Sequence, residues 1–123
     1  LHWIRLVTPT TNESRLSDVL ANSSGFVYYV SIAGITGTQS AAAASIEKAV
    51  HHIKAKSDLP VAVGFGIKTR EQVKEIGNIA EGVVVGSAIV NEIEQNLDPN
   101  GQPKAHLVES VISLVRSLAT DSV

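Results

Sequence analysis

Four apolar runs rich in β-branched and aromatic residues punctuate the chain: Trp3 to Val7 (WIRLV), Phe26 to Val30 (FVYYV), Pro60 to Gly64 (PVAVG) and Gly82 to Gly86 (GVVVG). Each is nearly continuous in apolar character rather than alternating. That pattern suits strands covered on both faces, as in a parallel sheet. The segments between them have helical periodicity. TTNE offers a capping box with Thr10 as N-cap and Glu13 three residues on, followed by an apolar stripe of Leu16, Val19 and Leu20. Ile46, Ala49, Val50 and Ile53 fall at i, i+3, i+4 and i+7. TREQ, Thr69 to Gln72, is a second capping box, ahead of Val73, Ile76 and Ala80. A short helix is expected from Ser87 (SAIVNEIEQNL). A longer one is expected from about Lys104 to Leu118, with Leu107, Val108, Val111, Ile112, Val115 and Leu118 inward and DPNGQP as the loop between. The order β-α-β-α-β-α-β-α-α implies βαβ units, and two architectures fit: a doubly wound open sheet or half of a (β/α) barrel.

At 123 residues the chain is one domain or part of one. A net charge of −2 gives no electrostatic footprint for nucleic acid or a membrane surface. With no cysteine, disulfides and thiolate metal sites are excluded. His51 and His52 are adjacent, so they cannot form an i, i+4 metal pair on a helix, and no metal site is expected. Residue 1 is Leu and methionine is absent, which leads us to expect a fragment of a longer chain.

Glycine gathers where the strands end. Gly34 and Gly37 follow the second run, Gly64 and Gly66 close the third, and Gly86 closes the fourth with Ser87 beginning a helix. Ligands of parallel α/β folds sit at the C-terminal strand ends. Glycine lets a backbone approach a phosphate closely, and a helix start at Ser87 adds N–H groups, dipole and a hydroxyl. A phosphate cradle made of backbone and hydroxyl follows, since the turns carry no Lys or Arg and Lys68 comes just after them. It is not a dinucleotide fingerprint, because Thr69 stands where the third glycine would be. Ser31 to about Ala44, with two glycines and a run of alanines, is expected to be the most mobile segment.

GFVYYVSIAGITG, LPVAVGFGIKTREQV and EGVVVGSAIV, in this order, resemble the C-terminal half of the tryptophan synthase alpha chain, and LVTPTTNESRL resembles that family's fifth strand and loop. The resemblance covers nearly all of the chain. It implies strands 5–8 of a (β/α)8 TIM barrel, with residues 1–123 a single partial domain lacking the N-terminal half. It also implies a lyase of tryptophan biosynthesis that cleaves indole-3-glycerol phosphate to indole and glyceraldehyde 3-phosphate in the cytoplasm and passes indole to a beta subunit. By the same resemblance, Gly37, Gly66, Gly86 and Ser87 hold the substrate phosphate, while Val7, Tyr28, Phe65 and Val84 line the indole pocket. Thr36 matches a loop threonine that orients a catalytic aspartate. The family's catalytic glutamate and aspartate belong to the early barrel and match no position here, so this chain alone is expected to be inactive. No cofactor is expected in this chain; pyridoxal phosphate belongs to the beta subunit. Many relatives carry Arg where this chain has Ile32, which changes the contacts available to the loop. The alternatives are a non-catalytic phosphate-binding half-barrel that could assemble as a homodimer, or another phosphate-binding barrel enzyme.

Overall fold

A computed structural model describes residues 1–31, 39–64 and 66–119. Four strands, β1 (Arg5–Val7), β2 (Val27–Val30), β3 (Val61–Gly64) and β4 (Gly82–Val84), form one sheet in the order β1-β2-β3-β4, every pair parallel. Between them run α1 (Glu13–Ala21), α2 (Gln39–Lys54) and α3 (Arg70–Gly77), and α4 (Ser87–Gln95) and α5 (Leu107–Leu118) follow.

The strand order decides between the two architectures. A doubly wound sheet reverses its order partway and carries helices on both faces. Here the order follows the chain, and right-handed crossovers then place successive helices on one side. The core agrees. Val7, Val27, Tyr29, Val61 and Val63 from the strands pack with Leu16 and Leu20 of α1, Ile46, Val50 and Ile53 of α2, and Ile76 of α3 as one buried cluster. The opposite face of the sheet, where Leu6 is 61% exposed, is the inner face of a curling barrel segment.

Register assigns each strand residue to a layer, because side chains alternate between faces. Val7, Tyr29, Val63 and Val83 are partners across the sheet on the helix side. Leu6, Tyr28, Ala62 and Gly82 form an inner row, and Val30, Gly64 and Val84 form the next row toward the strand ends. The alternation expected of Tyr28 and Tyr29 is present. Tyr29 is buried, and that burial raises its phenol pKa above the ordinary value.

Several sequence expectations are corrected. The N-cap of α1 is Asn12, whose side chain accepts from the Arg15 N–H at 3.0 Å, rather than Thr10. The Thr10 hydroxyl is engaged with that of Thr8 at 2.9 Å instead. Of the segment expected to be mobile, Gln39 to Ala44 belong to α2, and residues 32–38 lie outside the described residues. The first strand is shorter than WIRLV, since Trp3 and Ile4 lie outside it. Trp3 pairs instead with the chain entering β2, its N–H donating to Ser24 Oγ at 2.7 Å and its carbonyl accepting from the Ser24 N–H at 3.0 Å. On α5, Leu107, Val111, Leu114 and Leu118 are buried or half-buried, whereas Val108, Ile112 and Val115 are exposed. The Thr69 capping box stands as expected. The Thr69 hydroxyl accepts from the Gln72 N–H at 3.3 Å, and Gln72 Oε1 accepts from the Thr69 N–H at 3.1 Å.

Candidate functional site

At the C-terminal end of the sheet, backbone fit is tightest at Gly64. A Cβ there would overlap the Tyr28 phenol and come within 3.0 Å of the Val84 Cβ. Tyr28 sits opposite Ala62, so its ring leans one row along the strand to cover Gly64, a diagonal reach open to a long aromatic side chain. Tyr28 and Val84 thereby form an apolar shelf over bare backbone. This shelf brings together two of the four residues expected to line an indole pocket.

Val7 does not join them. Its side chain is buried on the helix side of β1, in the core cluster with Leu16 and Leu20. The cause is phase. Arg5 and Val7 share one face and Leu6 the other, so the residue of β1 that reaches the inner face is Leu6. Val63 also faces the helices, fully buried, and not the inner face. Phe65, Thr36, Gly37 and Ile32 lie outside the described residues.

Beyond Gly64 the chain opens. Gly66 has φ +73°, a left-handed conformation that L side chains rarely adopt, and a Cβ there would meet nothing within 4 Å. Gly86 likewise has open space around it and is the N-cap of α4. A glycine N-cap has no side chain to satisfy the first N–H groups of the helix, in contrast to Asn12 at α1 and Thr69 at α3. Ser87, exposed, is the first helical residue. Thus Gly66, Gly86 and Ser87 are exposed backbone and hydroxyl at the ends of neighbouring strands β3 and β4, beside the Tyr28–Val84 shelf. Such an arrangement can accept an anion on N–H and O–H groups with an apolar group alongside.

One contributor escaped the sequence reading. Ser31, directly after β2, is 2% exposed, and both its N–H (3.0 Å) and its hydroxyl (3.1 Å) donate to the Gly64 carbonyl. A serine in the strand layer of Val27 and Tyr29 was the available signal. Elsewhere among the described residues, Glu13 Oε2 meets His52 Nε2 at 2.7 Å, and no three His, Asp or Glu side chains gather where a metal ion could be held. No described helix is long and apolar enough to cross a membrane.

The fold and strand ends define a segment of a parallel (β/α) barrel whose ligand end is lined with glycine. Among barrel families, the tryptophan synthase alpha chain model matches residues 1–119, and the chain belongs to that family. Similar solved structures include the tryptophan synthase subunit alpha from Campylobacter jejuni, 29% identical with a TM-score of 0.80, matched over 97% of this chain and 44% of that one. Tryptophan synthase from Mycobacterium tuberculosis is 36% identical with a TM-score of 0.74, over 96% of this chain and 40% of that one. The alpha chain from Legionella pneumophila is 31% identical with a TM-score of 0.73, over 95% and 40%. The chain therefore spans about 40% of the length of the solved chains it matches, and its four strands correspond to a fragment of their barrel.

Proposed function

We propose that residues 1–123 are the C-terminal, phosphate-gripping part of an alpha chain that cleaves indole-3-glycerol phosphate to indole and glyceraldehyde 3-phosphate in cytoplasmic tryptophan biosynthesis. The observation that carries this reading is that Gly66 on one side and Gly86 with the start of α4 at Ser87 on the other follow the ends of the paired strands β3 and β4, where Tyr28 and Val84 form the apolar shelf over Gly64. The phosphate is received by backbone N–H groups around Gly66 and by the uncapped first turn of α4, whose dipole favours an anion. The Ser87 hydroxyl adds a donor. The indole ring lies against the phenol of Tyr28 and the side chain of Val84. Holding the phosphate, remote from the bond that breaks, supplies binding energy for orienting that bond.

The reaction is a retro-aldol-type carbon–carbon cleavage that needs a proton donor and a proton acceptor. Glu13, the carboxylate nearest β1 in the chain, is tied to His52 and Lys56. Asp18 and Glu47 stand on exposed positions of α1 and α2. By the family resemblance the acid and base belong to the other part of a full-length parent, and the 123-residue chain by itself is a binder without turnover. The parent's partner is a beta subunit that takes the indole and carries pyridoxal phosphate; this chain uses no cofactor of its own.

Calorimetric titration of the chain with indole-3-glycerol phosphate tests the reading. Replacing Ser87 with alanine is expected to weaken binding by about 2 kcal/mol, the scale of a hydrogen bond to a charged group. Gly66→Val, which puts a branched side chain at a positive φ, is expected to abolish binding. Unchanged affinity in both variants would refute the assignment.

A further inference from the structure

We propose that Ser31 is a positioning residue for the ligand end of the sheet: its buried hydroxyl fixes the direction of the Gly64 carbonyl and thereby the turn through Gly66. The inference rests on the phosphate reading for its functional meaning, and on geometry for the rest.

Ser31 is the one polar side chain buried among the described residues. Alternation along β2 puts it on the side of Val27 and Tyr29, where the neighbouring strand contributes Val61 and Val63. A hydroxyl in that layer is unfavourable unless bonded. Strand pairing does not require it, because the Ser31 N–H already donates to the Gly64 carbonyl at 3.0 Å. The hydroxyl adds a second bond to the same oxygen at 3.1 Å. An alanine or valine would keep the first bond and suit the apolar layer.

What the second bond adds is direction. A carbonyl held by two donors from one residue cannot swing without losing both. Gly64 is the last residue of β3 and stands two residues before Gly66, whose φ of +73° makes the turn. No side chain steadies Gly64, since Tyr28 and Val84 leave no room for one. Its carbonyl is the handle by which its orientation can be set, and Ser31 grips that handle from the neighbouring strand.

The test compares the 123-residue chain with its Ser31→Ala and Ser31→Thr variants. The first readout is the NMR shift of the Gly66 and Ile67 amides, with α5 as an internal reference. The second is affinity for glycerol 3-phosphate. Ser31→Ala is expected to move the Gly66 and Ile67 resonances while leaving α5 in place, and to weaken glycerol 3-phosphate binding about fivefold, the equivalent of one ordinary hydrogen bond. Ser31→Thr, which keeps the hydroxyl, is expected to restore both. An alanine variant with unmoved Gly66 and Ile67 amides overturns the proposal. So does one whose resonances shift equally throughout the sheet and helices, or a folded threonine variant that behaves like alanine. If the unsubstituted chain fails to bind glycerol 3-phosphate, the phosphate reading fails, while the amide shifts still decide whether Ser31 sets the turn.

Discussion

At the scale of residues, the tightest constraint is Gly64. Tyr28 crosses from the adjacent strand and occupies the volume that any β-carbon would need, with Val84 closing the other side at 3.0 Å. Gly64→Ala should therefore be felt despite its small size. The phenol must leave its place or the strand must shift, and overpacking of this kind typically costs about 1–3 kcal/mol. Chemical denaturation checks the expectation. A midpoint equal to that of the unsubstituted chain would mean the Tyr28 ring moves aside freely. The glycine pattern was legible in the sequence, since Gly64, Gly66 and Gly86 all lie at strand ends, but their separate reasons were not. Gly64 is bare because a neighbour fills its space and Gly66 because of its positive φ, whereas Gly86 opens a helix at a negative φ with open space around it. Alternation likewise separated Tyr28 from Tyr29 correctly, yet gave no phase for β1. Three residues with a charge at one end do not reveal which face is buried. Arg5 shares the helix side with Val7, its guanidinium 4.6 Å from the centre of the Trp3 ring, an arrangement that lets a cation sit at a largely apolar layer.

At the scale of elements, strands and helices were legible in order and type because each has several turns or residues of consistent periodicity, while their ends depended on local competition. TTN offers three acceptable N-caps for α1. The turn at Thr8–Thr11 consumes two of them: Thr11 Oγ1 accepts from the Thr8 N–H at 3.1 Å, and the Thr10 hydroxyl pairs with Thr8. Asn12 is left to cap. Moving the cap two residues on makes Glu13 the first helical residue and frees its carboxylate to reach α2. There it meets His52 Nε2 at 2.7 Å and, just past the helix, Lys56 Nζ at 3.3 Å. An ionised carboxylate only accepts, so the imidazole donates from Nε2. The hydrogen bond from His52, with a smaller contribution from Lys56, holds the Glu13 carboxyl below its ordinary value. The sign follows from linkage. A carboxylate with a lowered folded-state pKa binds protons more weakly folded than unfolded. Its support for the α1–α2 contact is complete above the ordinary carboxylate range and is lost as pH falls through its lowered value. Glu13 is exposed, so the effect is expected to be small and weakened by salt. Comparing Glu13→Gln with the unsubstituted chain by denaturation across the acid range checks this. The stability difference should shrink toward zero at the acid end, and one that grows there would contradict it.

At the scale of the molecule, periodicity told which stretches are helical but not how much of each helix finds a partner. Leu107, Val108, Val111, Ile112, Val115 and Leu118 of α5 were expected inward, yet the described fold uses one stripe, ending at Leu118, and leaves Val108, Ile112 and Val115 in solvent at 65%, 45% and 44% exposure. Val90 of α4 and Leu6 on the inner face of β1 are also exposed. Leu6 lies on the edge strand β1, and α4 and α5 follow the other edge strand, β4. Both β1 and β4 are edges of the sheet, each with one side unpaired, and a closed barrel has no edges. The 123-residue chain prepared by itself should therefore not behave as a monomer over a wide concentration range. Two copies can place β4 of one beside β1 of the other in parallel, twice over, bringing the strand number to that of an eight-stranded barrel and covering both inner faces. Sedimentation at graded concentrations checks this. A mass that rises toward a dimer, or to larger species, is expected. Replacing Val108 and Ile112 with lysine should shift the equilibrium toward the monomer if α5 takes part, since charge placed in an apolar contact is costly to bury. A folded chain that stays monomeric at every concentration would mean that the open edges and the apolar stripe are tolerated in water, and that the four-stranded unit is stable without closure.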